Sequence, residues 1–124
     1  MPLPIFDRQG TFYEEIFFAL DLHDDLNLIE EYKRYHRQEN IWPEVLECIR
    51  AKGVISQEIY LTRNRLVLIL ETTDDFDLDA KTAADSASSV MRKWEELMWK
   101  FQKRLPHARP GEKWVRMEKI FEAR

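Results

Sequence analysis

Residues 54–71 read VISQEIYLTRNRLVLILE. Two runs rich in branched and large aliphatic residues, Val54–Leu61 and Arg65–Glu71, are separated by Thr62, Arg63 and Asn64 alone. That pattern predicts two strands paired as a hairpin. What lies on either side of the hairpin then decides the fold. Upstream, TFYEEIFFALDL (11–22) is a further strand, almost continuously apolar after Glu15, which predicts cover on both of its faces. Downstream, WVRMEKIF (114–121) alternates and predicts a last strand.

Helices fill the gaps. Asp24 or Asp25 can cap LNLIEEYKRYH, which puts Leu28, Ile29, Tyr32, Tyr35 and His36 on one face and Glu30, Glu31, Lys33 and Arg34 on the other. RQEN breaks that pattern. Asn40 is then expected to cap a second helix with Pro43 in its first turn, a stripe of Trp42, Val45, Leu46 and Ile49, and Gly53 at its end. After the hairpin a polar connection leads to a helical region over 79–103, interrupted near DSASS, with the stripe Val90, Trp94, Leu97, Met98 and Phe101. LPHARPGEK is a loop.

The order is β, α in two pieces, β, β, α, β. This predicts an α+β domain of ferredoxin-like βαββαβ form over residues 11–124, preceded by a loose arm at 1–10. Helices cover one face of such a sheet, and no element remains to cover the other. A second copy of the sheet is the expected cover, which makes the chain a homodimer.

The bulk numbers narrow the function. The 124 residues suit one domain, and 44% hydrophobic with 34% charged is ordinary for a soluble globular protein. A net charge of −4 argues against general nucleic-acid binding and is compatible with a small neutral ligand. The single cysteine, Cys48, forms no internal disulfide and points to a reducing, cytoplasmic setting. MPLPIFDRQG lacks the basic run and apolar core of a signal peptide, and no apolar run is long enough for a bilayer. The three histidines have no zinc-like spacing, and the three glycines are isolated, so neither a metal site nor a phosphate loop is expected.

Chemistry concentrates in EEYKRYHRQENIWPEV (30–45). Tyr32 and His36 are four apart and share a helix face, so they can present a phenol and an imidazole to one ligand; the plainer reading is half-buried packing. Trp42 and Trp94 can stack on a sugar ring or fill the core. Glu95 would sit at the edge of the late stripe or in solvent. Gln57 and Glu58 interrupt an apolar strand and point to opposite sides of the sheet, so at least one of them needs a polar partner or a ligand if both faces are covered.

Together these residues resemble the L-rhamnose mutarotase family, which includes L-fucose mutarotases of the same fold. The resemblance runs from about residue 12 to residue 122. It rests on EEYKRYH followed by IWPE, on EIYL and RLVLILE, on KWEELMWKFQ, and on PGEKWVRMEKIF. It implies a dimeric α/β barrel of ferredoxin-like subunits that interconverts the α and β anomers of a 6-deoxy sugar without a metal or an organic cofactor. It implies that His36 is the proton donor and that Tyr32 holds the sugar. Rhamnose-type members carry a tyrosine where this chain has Gln57, and a second tryptophan where Trp94 is followed by Glu95. The spacer RQEN is also slightly longer. With WEELMWKFQ and PGEKW, these departures favour L-fucose; L-rhamnose and a non-catalytic sugar-binding dimer are the alternatives.

Anomer exchange needs a proton delivered to the ring oxygen and another removed from the anomeric hydroxyl. The expected parts are protonated His36 as the acid and Glu95, Glu58 or a water held by one of them as the base. Tyr32 holds a hydroxyl, Gln57 and Glu58 line the pocket, and Trp94 packs on the C6 methyl or a ring face.

Overall fold

The computed structural model describes residues 5–6 and 12–123. In chain order its elements are β1 (Ile5–Phe6), β2 (Phe12–Leu22), α1 (Leu26–Tyr35), α2 (Pro43–Ile49), β3 (Val54–Thr62), β4 (Arg65–Thr73), α3 (Leu78–Ala87), α4 (Ser89–Trp99), β5 (Gln102–Lys103) and β6 (Val115–Arg116). Of the expected arm, residues 1–4 and 7–10 lie outside the described residues, and Ile5–Phe6 pair with Tyr13–Phe12.

The hairpin forms as read. β3 and β4 pair antiparallel through Thr62↔Arg65 and Leu61↔Leu66, with an irregularity between Val54 and Ser56. β4 lies against β2 along nearly its whole length, from Tyr13↔Thr73 to Asp21↔Arg65. The other edge of β2 is shared by three short pieces: β1, then β6 at Phe18–Ala19, then β5 at Asp21–Leu22. Every pairing is antiparallel.

Strand alternation sends Ile16, Phe18, Leu20 and Leu22 from β2, and Leu66, Leu68 and Leu70 from β4, to one face, where all are buried. α1, α2 and α4 pack there. Ile29, Tyr32, Val45, Met91, Trp94, Met98 and Phe101 form one cluster with Leu22 and Leu66. Each fully buried large side chain in it contributes about 1.5–3 kcal/mol. A second cluster, Ile16, Phe18, Val54, Leu68 and Leu70, lies further along the sheet, and Trp114 packs against both. The opposite face carries Phe17, Ala19, Val67, Ile69 and Tyr60. No described helix covers it, and Tyr60 is exposed.

One local alternative is resolved and three readings change. Asp25 is the cap of α1, its carboxylate accepting from Leu28 N at 3.0 Å, whereas Asp24 pairs with Arg63. Asn40 does not cap α2: its amide donates to Arg34 O at 2.8 Å and ties off α1, while Trp42 takes the cap position by backbone alone. Gly53 has the expected positive φ, +91°, but α2 already stops before it, at Arg50. The late helical region breaks at Ser88, whose hydroxyl accepts from Met91 N at 3.2 Å. It ends at Trp99, because Phe101 is fully buried and accepts a bond from His23 N that draws the chain onto the edge of β2.

The last strand is shorter than predicted. Only Val115–Arg116 join the ladder, with Met117 N adding one bond to Phe17 O. Beyond Met117 the tail leaves the sheet, with Ile120 and Phe121 exposed.

Candidate active site

Between the helices and the sheet lies a cleft of about 740 Å³, within the usual range for small-molecule sites. Its floor is Phe18, Ile59, Leu68 and Leu70. Polar groups reach it from separate elements, among them Tyr32 of α1 and His36 at its end, Gln57 of β3, Glu95 of α4, Gln102 of β5, and Lys113 of the loop before β6; α3 and α4 add Lys81, Asp85, Arg92 and Glu96.

α1 delivers the first pair because positions four apart stand one above the other. The Tyr32 and His36 rings lie 4.4 Å apart between centroids. His36 sits at the helix end, where it turns its Nδ1 back to the Tyr32 carbonyl at 2.7 Å. A carbonyl only accepts, so Nδ1 carries the hydrogen, and in the neutral ring Nε2 keeps its lone pair. Burial lowers the His36 pKa below its ordinary 6.5, opposed by the Tyr32 carbonyl bond, so the neutral ring prevails at neutral pH.

Trp94 is buried and lines the cleft, its ring 5.4 Å from that of His36. Trp42 packs edge-on behind it at 5.2 Å. Trp94 is core on one side and cleft wall on the other. Trp42 is support, and IWPE does start the helix that packs behind the Tyr-His pair.

Tyr32 is held from across the domain. Gln102 Nε2 donates to its hydroxyl oxygen at 3.3 Å. The tyrosine's own hydrogen is left for another acceptor. Burial, with the Glu95 charge adding and the Gln102 bond opposing, pushes the phenol up to about 12, so it remains a donor throughout the neutral range.

Glu95 faces the cleft in an ion pair with the ammonium of Lys113, which also lies 4.8 Å from the Trp99 ring centre. Burial lowers the Lys113 pKa, and the Glu95 carboxylate counters it. Gln57 lines the cleft beside Ile59, as alternation requires. Glu58 does not. It stands on the opposite, helix-free face, where it accepts from the Tyr60 hydroxyl at 3.3 Å, too far round the sheet to serve as base or substrate ligand. Among the described residues no three His, Cys, Asp or Glu side chains converge to hold a metal.

Sequence reasoning missed Gln102 and Lys113. Gln102 falls within the predicted helical region, in a charged run, and no local pattern marks it. Lys113 falls in the PGEKW segment, which pointed to the segment but not to the residue.

A family model described as L-rhamnose mutarotase matches residues 15–123. The chain belongs to the L-rhamnose mutarotase family. Mutarotases are isomerases that act on sugar anomers, and the chain is an enzyme of that class. It is 42% identical over 108 residues to an L-fucose mutarotase of Xanthomonas campestris pv. campestris, covering 87% of this chain and 86% of that one. It is 39% identical over 67 residues to an L-rhamnose mutarotase of Burkholderia ambifaria, covering 52% and 59%. The crystal structure of an L-rhamnose mutarotase from Formosa agariphila superposes with a TM-score of 0.63 at 18% identity, covering 90% of this chain and 99% of that one, a likeness of fold. The mixed architecture of an antiparallel sheet with four helices is thus the family's own. No described helix is long and apolar enough to cross a membrane.

Proposed function

We propose that the chain exchanges the α and β anomers of L-fucose, as a cytoplasmic homodimer. The observation that carries the choice of sugar is in the cleft wall. At the two positions where rhamnose-type members resemble one another in carrying a tyrosine and a second tryptophan, this chain places Gln57 and Glu95, and both line the cleft. The relative from Xanthomonas campestris that bears the name L-fucose mutarotase adds support.

In this proposal the neutral His36 ring acts first. Nε2 takes the proton of the anomeric hydroxyl while the Lys113 ammonium, held by the Glu95 carboxylate, gives a proton to the ring oxygen, and the C1–O5 bond breaks. The aldehyde turns about C1–C2, and ring closure sends both protons back. This reverses the starting state in the sequence reading, where protonated His36 led; burial favours the neutral ring and outweighs the Nδ1 bond to the Tyr32 carbonyl. Tyr32 donates a hydrogen bond that orients the sugar, and Trp94 lies under its apolar face. Each proton-handling group contributes on the order of 10²–10⁴-fold.

The dimer and the ferredoxin-like subunit rest on the sheet. The sheet runs β1-β2-β4-β3 with β6 also on the outer edge of β2, and helix pairs lie between β2 and β3 and between β4 and β6 in the chain. The helix-free face of Phe17, Ala19, Val67, Ile69 and Tyr60, with the exposed tail residues Ile120 and Phe121, is the apolar surface a second copy would cover. The free thiol of Cys48 suits a reducing compartment.

The test is NMR exchange between the anomers of L-fucose and of L-rhamnose, with and without the protein. Faster exchange on L-fucose is expected. A preference for L-rhamnose overturns the sugar, and no acceleration on either leaves a binding protein without turnover.

A further inference from the structure

Among the cleft groups that the mechanism leaves unused is the buried carbonyl of Gln102. The residue is 4% exposed and lines the cleft. Its Nε2 is spent on Tyr32, and its Oε1 has no hydrogen-bond partner among the described residues. Turning the amide over does not cure this. The end facing Tyr32 is then the oxygen, and the nitrogen is left without a partner in its place. A buried amide end with nothing to bond is rare, because burial strips its water without replacing it. Position explains why it persists. Leu22↔Gln102 pairing holds the backbone of β5 against the edge of β2, so the side chain is committed to the cleft side by the ladder.

Beside this acceptor stands a donor. Tyr32 receives the Gln102 N–H, and its own hydrogen has no protein acceptor given to it by that bond. A sugar hydroxyl both gives and takes a hydrogen bond, so one hydroxyl, or two on adjacent carbons, satisfies both groups. We infer that Gln102 is a specificity-determining residue: its Oε1 accepts from a ring hydroxyl of the sugar while Tyr32 donates to the same hydroxyl or its neighbour. The inference rests on the cleft being the sugar site. L-fucose and L-rhamnose differ in configuration at C2 and C4, so a clamp of fixed direction separates an axial hydroxyl from an equatorial one. Sites that bond a substrate hydroxyl discriminate far more strongly than sites that only enclose it.

The test uses the full chain and Gln102→Met, close in shape and without the amide. Anomer exchange is measured on L-fucose, L-rhamnose and the L-fucose analogues deoxygenated at C2, C3 or C4. Gln102→Met is expected to lower kcat/KM on L-fucose on the order of 10- to 100-fold. On the one analogue lacking the clamped hydroxyl, wild type and variant are expected to be equal, and the preference between L-fucose and L-rhamnose narrows in the variant. The melting temperature falls by no more than a few degrees, since the change removes an unbonded buried acceptor together with a single 3.3 Å bond from Nε2 to Tyr32. An unchanged rate on L-fucose overturns the inference, and so does an equal loss on all three analogues, which marks a structural effect. If wild type accelerates neither sugar, the catalytic proposal has failed independently. Sugar affinity read by tryptophan fluorescence then decides: an equal Kd for wild type and Gln102→Met overturns the clamp, and a 10-fold or greater weakening supports it.

Discussion

Replacing His36 by asparagine removes one atom that matters and keeps most of the rest. The asparagine amide can still donate to the Tyr32 carbonyl, which His36 Nδ1 reaches at 2.7 Å. What disappears is Nε2, the nitrogen left free by that bond. A positioned acid–base group contributes roughly 10²–10⁴-fold, and each tenfold is about 1.4 kcal/mol of barrier, so the loss amounts to about 3–5 kcal/mol. The cost in stability is smaller. The ring touches Tyr32 and Trp94 on partly buried surface, and its loss is expected to cost on the order of 1 kcal/mol, a few degrees in Tm. Saturation-transfer NMR on L-fucose reads the rate, and calorimetry reads the fold. The pH profile of the wild type supplies the sign. Burial holds the His36 pKa below 6.5 and the neutral ring is the reacting form, so exchange stays high through pH 6.5 and falls as pH drops through the lowered value. If His36→Asn keeps the wild-type rate within a few-fold, the assignment of proton transfer to Nε2 is refuted. A rate that instead climbs on acidification refutes the neutral starting state.

Lys113→Met removes the partner of Glu95 and is expected to slow exchange by at least tenfold with little change in KM, measured by the same NMR assay; equal kcat would show that the pair only holds the loop. Gly53→Ala places a Cβ 2.8 Å from Thr73 Oγ1 at a φ of +91°, so thermal unfolding should show a loss of about 1–2 kcal/mol, and an unchanged Tm would mean that the turn relaxes freely. Val67→Asp puts a charge at the centre of the helix-free face; light scattering should find a dimer in the wild type and a monomer in the variant, and a monomeric wild type would refute the covered face.

What the sequence by itself determined is everything carried by short-range periodicity. Tyr32 and His36 share a face because a helix turns in 3.6 residues. The hairpin closes at Arg63–Asn64 because two strand-like runs lie too close to do anything else. Trp94 belongs to an apolar stripe, and Gln57 and Glu58 must point apart. The tertiary structure alone decided which of those two faces the cleft, because alternation is blind to which side the helices take. It alone turned residues 100–103 out of the helix and onto the edge of β2, bringing Gln102 to a tyrosine seventy positions away. It alone set Lys113 against Glu95 and ended β6 at Arg116. Local spacing specifies neighbours along one element, whereas a bond between elements depends on where the whole sheet places each edge, and no window of sequence contains that distance.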